Sequence, residues 1–178
     1  TSLNHGPDID NGTNWGNTTK AALPSIDVVG PVGGGVADDT AALQAALNTG
    51  LTYRLTQGKK YKITSALQMS IGSGFVSDYR YGMIGTTGIA NIQCEITRTT
   101  VGPALIFPNG GAGGYSQIAS VKLDGVKISS AGDCISIPNG SIDVRIGTLA
   151  LYPCPGAKGV DHKGFIQDWI IGELHIQC

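Results

Sequence analysis

The sequence predicts an all-β protein: a right-handed, single-stranded parallel β-helix closed at its start by one short capping α-helix. Three observations predict it: a turn-rich composition, a strand–corner–strand unit that recurs at nearly constant spacing, and a single helical stretch placed ahead of that unit. The chain has 178 residues with 27 Gly and 8 Pro, and only 14% of them are charged. That balance fits many short strands joined by turns, in a chain long enough to bury a full core. A net charge of -1 without a Lys/Arg run excludes a nucleic-acid or anionic-membrane surface. No apolar run approaches the ~20 residues of a membrane span. The opening TSLNHGPDID lacks the basic start and apolar stretch of a signal peptide, and Thr1 in place of Met predicts a processed or cut chain.

The recurring unit begins at Val121-x-Leu123-x-x-Val126-x-Ile128. It returns as Val144-x-Ile146-x-x-Leu149-x-Leu151 and as Trp169-x-Ile171-x-x-Leu174-x-Ile176, at offsets of 23 (144 − 121) and 25 (169 − 144). Alternation of period two inside each copy means strands, and the two-residue interruption is a corner where the inward side changes phase. A unit of that length cannot cover its own apolar face, so copies stack on one another. Parallel coils follow. The last copy stops with its alternation intact, so either further coils or a partner must cover it; the expectation is that the coils continue beyond residue 178.

The helical stretch is Thr40 to Asn48, within a capping segment of about residues 39–49. Ala, Leu and Gln dominate it, and Leu43 and Leu47 with Ala42 and Ala46 form an apolar stripe. Gly33, Gly34 and Gly35 supply the turn before it. Asp38 and Asp39 are expected to offer oxygens to the free amides of the helix start, and Gly50 to end it in a left-handed conformation. A helix this short is marginal alone. Laid across the first coil, it would close the open end of the stack. Residues 1–24 read as an arm or linker and 25–178 as the β-helix, opening with a strand at Ile26–Val29. Strands are expected at Leu51–Leu55, Tyr61–Thr64, Ala66–Ile71 and Phe75–Ile84. Cys94, Cys134, Cys154 and Cys178 match no metal-ligand spacing and read as buried free thiols.

Gly33 to Leu47 resembles the G-D-G-V-x-D-D-T-x-A-[IL]-Q-x-A-[IL] signature that opens pectate-lyase-like β-helix proteins, above all phage tailspikes with depolymerase activity. The likeness covers roughly residues 26–71, with Gly34 in place of an Asp that serves the turn. It implies a homotrimer in the phage virion that binds bacterial surface polysaccharide and in many cases cleaves it. The arm would dock to other virion tail proteins. Gly132-Asp133-Cys134-Ile135-Ser136-Ile137 resembles the G-D-D-C-I-[AS]-I coil of polygalacturonase-type hydrolases, in which both Asp residues act in hydrolysis. Here Asp133 is kept, Gly132 replaces the other Asp, and the downstream Pro155 to Gly159 loop carries no His.

That stretch therefore reads as a shared coil sequence with Asp133 as its one catalytic candidate, and the repeat offers a better carboxylate pair. Asp143 and Asp168 share the 25-residue offset and alternate with apolar positions, so both should face outward on neighbouring coils. Strands about 4.8 Å apart would bring their carboxyls near the ~5–5.5 Å of a retaining glycosidase. The same residues also read as a solvated charge ladder relieved by Arg145 or Lys163. Asp161 and His162 follow a Gly/Pro-rich loop and, with Tyr152 as a stacking face, are candidate substrate contacts. Trp169, at the repeat position of Val121 and Val144, reads as core. No cofactor or metal is expected. The expected function is a phage tailspike or tail-fibre segment that engages surface polysaccharide. The alternatives are a non-catalytic trimeric stalk or connector and a secreted cell-wall-degrading enzyme.

Overall fold

The computed structural model describes residues 32–56, 58–70, 72–77, 94–107, 121–139, 141–142, 144–164 and 166–177. The arm at 1–24, the expected strand at Ile26–Val29, the far half of the expected strand Phe75–Ile84, and Cys178 lie outside these residues. Strands dominate, and the chain is all-β apart from one helix among the described residues.

The first elements are β1 (Gly34–Asp38), α1 (Thr40–Leu47), β2 (Thr52–Leu55), β3 (Lys60–Ile63), β4 (Leu67–Gln68) and β5 (Gly74–Ser77). There follow β6 (Cys94–Arg98), β7 (Leu105–Ile106), β8 (Val121–Asp124), β9 (Val126–Ser130) and β10 (Ile135–Ile137). The last are β11 (Ser141–Ile142), β12 (Val144–Tyr152), β13 (Val160–His162), β14 (Ile166–Gln167) and β15 (Ile170–Ile176). Every pairing among them is parallel. The largest sheet has nine strands, and its order turns on β12: Val144–Ile146 pairs β8, Leu149–Tyr152 pairs β9, and β15 takes the other edge. A four-stranded sheet runs β13-β10-β7-β4, and β11 pairs β14.

Register explains the core. Tyr53 pairs with Phe75, Phe75 with Leu123, Leu123 with Ile146, and Ile146 with Ile171. A second row runs Tyr61, Ile96, Ile128, Leu151, Ile176, and a third Leu67, Leu105, Ile135, Val160. The rows are buried through Ile146, Leu151 and Ile135, with the lysines and threonines between them turned outward. Full burial of such a side chain is worth about 1.5–3 kcal/mol each, so aligned rows dominate the folding energy. At β15 the rows surface: Ile171 is 45% and Ile176 51% exposed, although both lie in register with buried residues.

The corner read from the repeat interrupts the strand in the first copy, between β8 and β9, whereas β12 and β15 run through the corresponding positions as single strands. Gly125 has φ 68°, and its N–H donates to Thr148 O (2.7 Å) on the next strand. Asp124 Oδ1 accepts the Thr148 N–H (3.0 Å). A Cβ on Gly147 would lie 2.1 Å from that same oxygen, so a side chain there would displace the Asp124 carboxylate from the Thr148 amide.

The helix lies at the start of the stack with Leu43, Ala46 and Leu47 buried, and Gly50 is left-handed (φ 72°) as expected. The two aspartates before it divide their work differently from the expectation. Asp38 Oδ1 accepts the Thr40 N–H (3.1 Å), and Oδ2 accepts the Thr64 hydroxyl (2.6 Å). Asp39, 2% exposed, turns back and accepts the N–H groups of Val32 (2.7 Å) and Gly33 (3.3 Å), bracing the glycine loop instead. Cys94 and Cys134 are fully buried free thiols facing backbone carbonyls, whereas the free thiol of Cys154 is only half-buried.

Two outcomes follow from these contacts. Gly74→Ala would place a Cβ 2.0 Å from Lys122 O, whereas one on Gly58 meets nothing within 4 Å. Denaturant unfolding should show a loss of about 3 kcal/mol or more for Gly74→Ala and about 1–2 kcal/mol for Gly58→Ala, from its positive φ alone. The Thr40 and Thr64 hydroxyls hold the Asp38 carboxyl below its ordinary 3.8. A depressed folded pKa gives stability that is present above the unfolded value and lost as pH falls through the folded one. The stability gap between the parent and Asp38→Asn should therefore be constant above about pH 5 and close below about pH 4 in an acid titration.

Candidate functional site

β10 and β13 pair in register Ile135–Val160, Ser136–Asp161 and Ile137–His162, which fixes the placement of three of the candidate residues. Asp133 sits just before β10 and faces the loop leading to β13. Its Oδ1 accepts the Lys158 N–H (2.7 Å), while Cys134 N–H donates to Lys158 O (3.0 Å). The carboxylate thus fastens one pass of chain to the next.

Asp161 faces outward beside Ser136, half-buried, between two lysines. Lys158 Nζ lies 2.5 Å from its Oδ1 and Lys163 Nζ 3.8 Å from its Oδ2. The Lys158 hydrogen bond lowers the Asp161 pKa, and the same bond raises that of Lys158. Asp161 is therefore a fixed anion here, suited to orienting lysines and not to donating a proton. His162 points the other way, at the inward position above fully buried Ile137. Its ring meets the edge of Trp169, with centroids 5.8 Å apart at 76°.

Trp169 packs on the core, and the neighbouring Ile170–Arg145 pairing carries it to the position above Val144, as the repeat implied. The row that begins Val121–Val144 is explicit in the β8–β12 register. Register on both sides of Asp168 keeps the 25-residue offset: Ile166 pairs Ser141 (166 − 141) and Ile170 pairs Arg145 (170 − 145). Asp168 itself is exposed, with φ 52° at the bend between β14 and β15, a conformation Asp tolerates better than most residues. Asp143, its intended partner, lies outside the described residues.

Tyr152 closes β12 on the large sheet, and its ring is occupied by a cation: Lys127 Nζ lies 4.4 Å from the centroid. This contact belongs to a network that sequence reasoning missed. Lys60, Glu95 and Lys127 stand in one outward row on β3, β6 and β9. Each lysine lies 3.6 Å from the Glu95 carboxylate, which also accepts Ser129 Oγ (2.7 Å) and Thr97 Oγ1 (3.0 Å). Burial pushes the Glu95 pKa up, but the Ser129 hydrogen bond and the Lys127 charge outweigh it and hold the group low. The offsets along this row, 35 (95 − 60) and 32 (127 − 95), differ from 23 and 25, so no constant period exposed it.

The described candidates thus fall in three places: Asp133, Asp161 and His162 lie at the β10–β13 pairing, Tyr152 belongs to the lysine–glutamate row of the large sheet, and Asp168 lies at the bend between β14 and β15. Among the described residues no three His, Cys, Asp or Glu side chains are grouped to hold a metal ion, and no helix is long and apolar enough to cross a membrane.

If Asp133 is a strut between passes, Asp133→Ala should lower the unfolding free energy by about 1 kcal/mol and speed hydrogen exchange at the Lys158 amide. Asp133→Asn, which keeps an acceptor oxygen, should recover most of both. No family model matches the chain, and neither does any curated protein or solved structure.

Proposed function

We propose that this chain is a segment of a phage tailspike or tail fibre, built on a right-handed single-stranded parallel β-helix, that engages bacterial surface polysaccharide. In the full-length protein the same surface would take part in degrading that polysaccharide. The observation carrying this reading is the joint presence of two features. One is a Gly-rich loop with Asp38, Asp39 and Thr40 closing the start of the stack. The other is a set of parallel strands whose apolar rows stay in register from Tyr53 to Ile171. A stack of this kind offers long outward faces on which a linear glycan can lie across several strands. The reading places the protein in the virion as a homotrimer, with residues 1–24 as its contact to other tail proteins.

In the catalytic form of the proposal, Asp143 and Asp168 act as a carboxylate pair set by the strand spacing, one proton donor and one base or nucleophile. A specific observation favours a second reading, a non-catalytic stalk or connector. Asp133 holds a backbone amide and Asp161 holds two lysines, so both carboxylates already serve the scaffold.

The test measures reducing or unsaturated ends released from a panel of capsular and O-antigen polysaccharides, with glycan binding and native mass read in parallel. Turnover that falls about 100-fold or more in the Asp143→Asn, Asp168→Asn double variant supports the catalytic form. Trimers that bind glycan without turnover support the stalk. A protein that neither binds nor cleaves any of them and is monomeric overturns the proposal.

A further inference from the structure

The first strand of the four-stranded sheet has an edge facing away from its neighbours, and a side chain closes it. In β4 and just after it, Leu67 N–H donates to Ala104 O (2.9 Å) and Met69 N–H to Ile106 O (2.8 Å), both toward the β7 segment. Alternation of the backbone turns the N–H and C=O of the intervening Gln68 to the opposite, unpaired side. The Gln44 carboxamide meets both: its Oε1 accepts the Gln68 N–H (2.7 Å) and its Nε2 donates to Gln68 O (3.0 Å). The same Nε2 also donates to Asn48 Oδ1 (2.8 Å), one helical turn on. Buried Leu43 and Leu47 fix the helix on either side of Gln44, so the amide is presented in a set orientation.

A primary amide carries the same donor and acceptor as a peptide unit. We propose that Gln44 stands in for a strand on the free edge of β4 and closes that edge to strand addition by a second copy of the chain. Ordering a Gln side chain costs about as much as two exposed hydrogen bonds return. Its effect on stability is therefore small, and its consequence lies at the edge. The far end of the large sheet is unlike this one. The seven residues of β15 have one partner strand, β12, among the described residues, and expose Ile170, Ile171 and Ile176.

The experiment uses the full chain as parent, Gln44→Ala and Gln44→Glu, with residue-resolved amide exchange and sedimentation velocity over a concentration series. In Gln44→Ala, exchange at Gln68 should rise about tenfold or more while Leu67 and Met69 stay protected. Larger species should appear at about one-third of the parent's concentration or below. Gln44→Glu keeps the acceptor, so at neutral pH the Gln68 amide should stay protected; this arm decides the matter if α1 frays in the alanine variant. Parent-like exchange at Gln68 in Gln44→Ala, parent-like sedimentation of that variant, or exchange in Gln44→Glu as fast as in Gln44→Ala would each overturn the proposal.

Discussion

Parallel pairing that keeps apolar residues in register is the constraint from which the other features of the molecule follow. When Leu123 lies against Ile146, and Ile128 against Leu151, like side chains sit one strand spacing apart, and apolar rows grow with every pass of the chain. The same register stacks like charges and like corners. The chain answers with alternating Lys60, Glu95 and Lys127 in one row, and with Asp124 folding over Gly147 at another. A one-residue slip would invert every inward position, so each corner must deliver the next strand in phase. Gly125, left-handed and bonded to Thr148, does this where a side chain would resist it.

A stack held this way has two ends, and each leaves unpaired backbone. At the start the sequence supplies polar side chains for the purpose. Asp39 N–H donates to Lys62 O, Thr40 Oγ1 accepts the Thr64 N–H, and Asp38 ties the helix start to Thr64. The helix covers the apolar rows while its polar face answers the strand edges. This explains why the helix opens on a run of Asp, Asp and Thr: each of the three has its own acceptor or donor to meet. At β15 the apolar rows come to the surface with no such provision among the described residues.

The outward faces carry the chemistry available for recognition, and most of it is already committed. Asp161 is bound to Lys158 and Lys163, and Tyr152 lies under Lys127. Exposed ion pairs of this kind add little stability. They do set the positions of hydroxyl, ammonium and carboxylate groups relative to one another. His162 differs in facing inward, with its imidazole set against Trp169.

The sequence by itself determined the strand class, the short helix and its buried stripe, and the phase of the last three copies. These depend on local periodicity and on insertions short enough to keep that periodicity visible. It placed Trp169 above Val144 for the same reason. What it left undetermined depended on long offsets. Phe75 pairs with Leu123 and Ile96 with Ile128 across intervals of 48 (123 − 75) and 32 (128 − 96) residues, so the Glu95 row had no period to reveal it. Side-chain destinations were hidden as well. Asp38 and Asp39 look alike in sequence, but one faces the helix amides and the other the glycine loop, because the backbone turns between them. Which carboxylates brace the scaffold and which remain for a ligand is a question of three-dimensional neighbours, and only the tertiary structure could decide it.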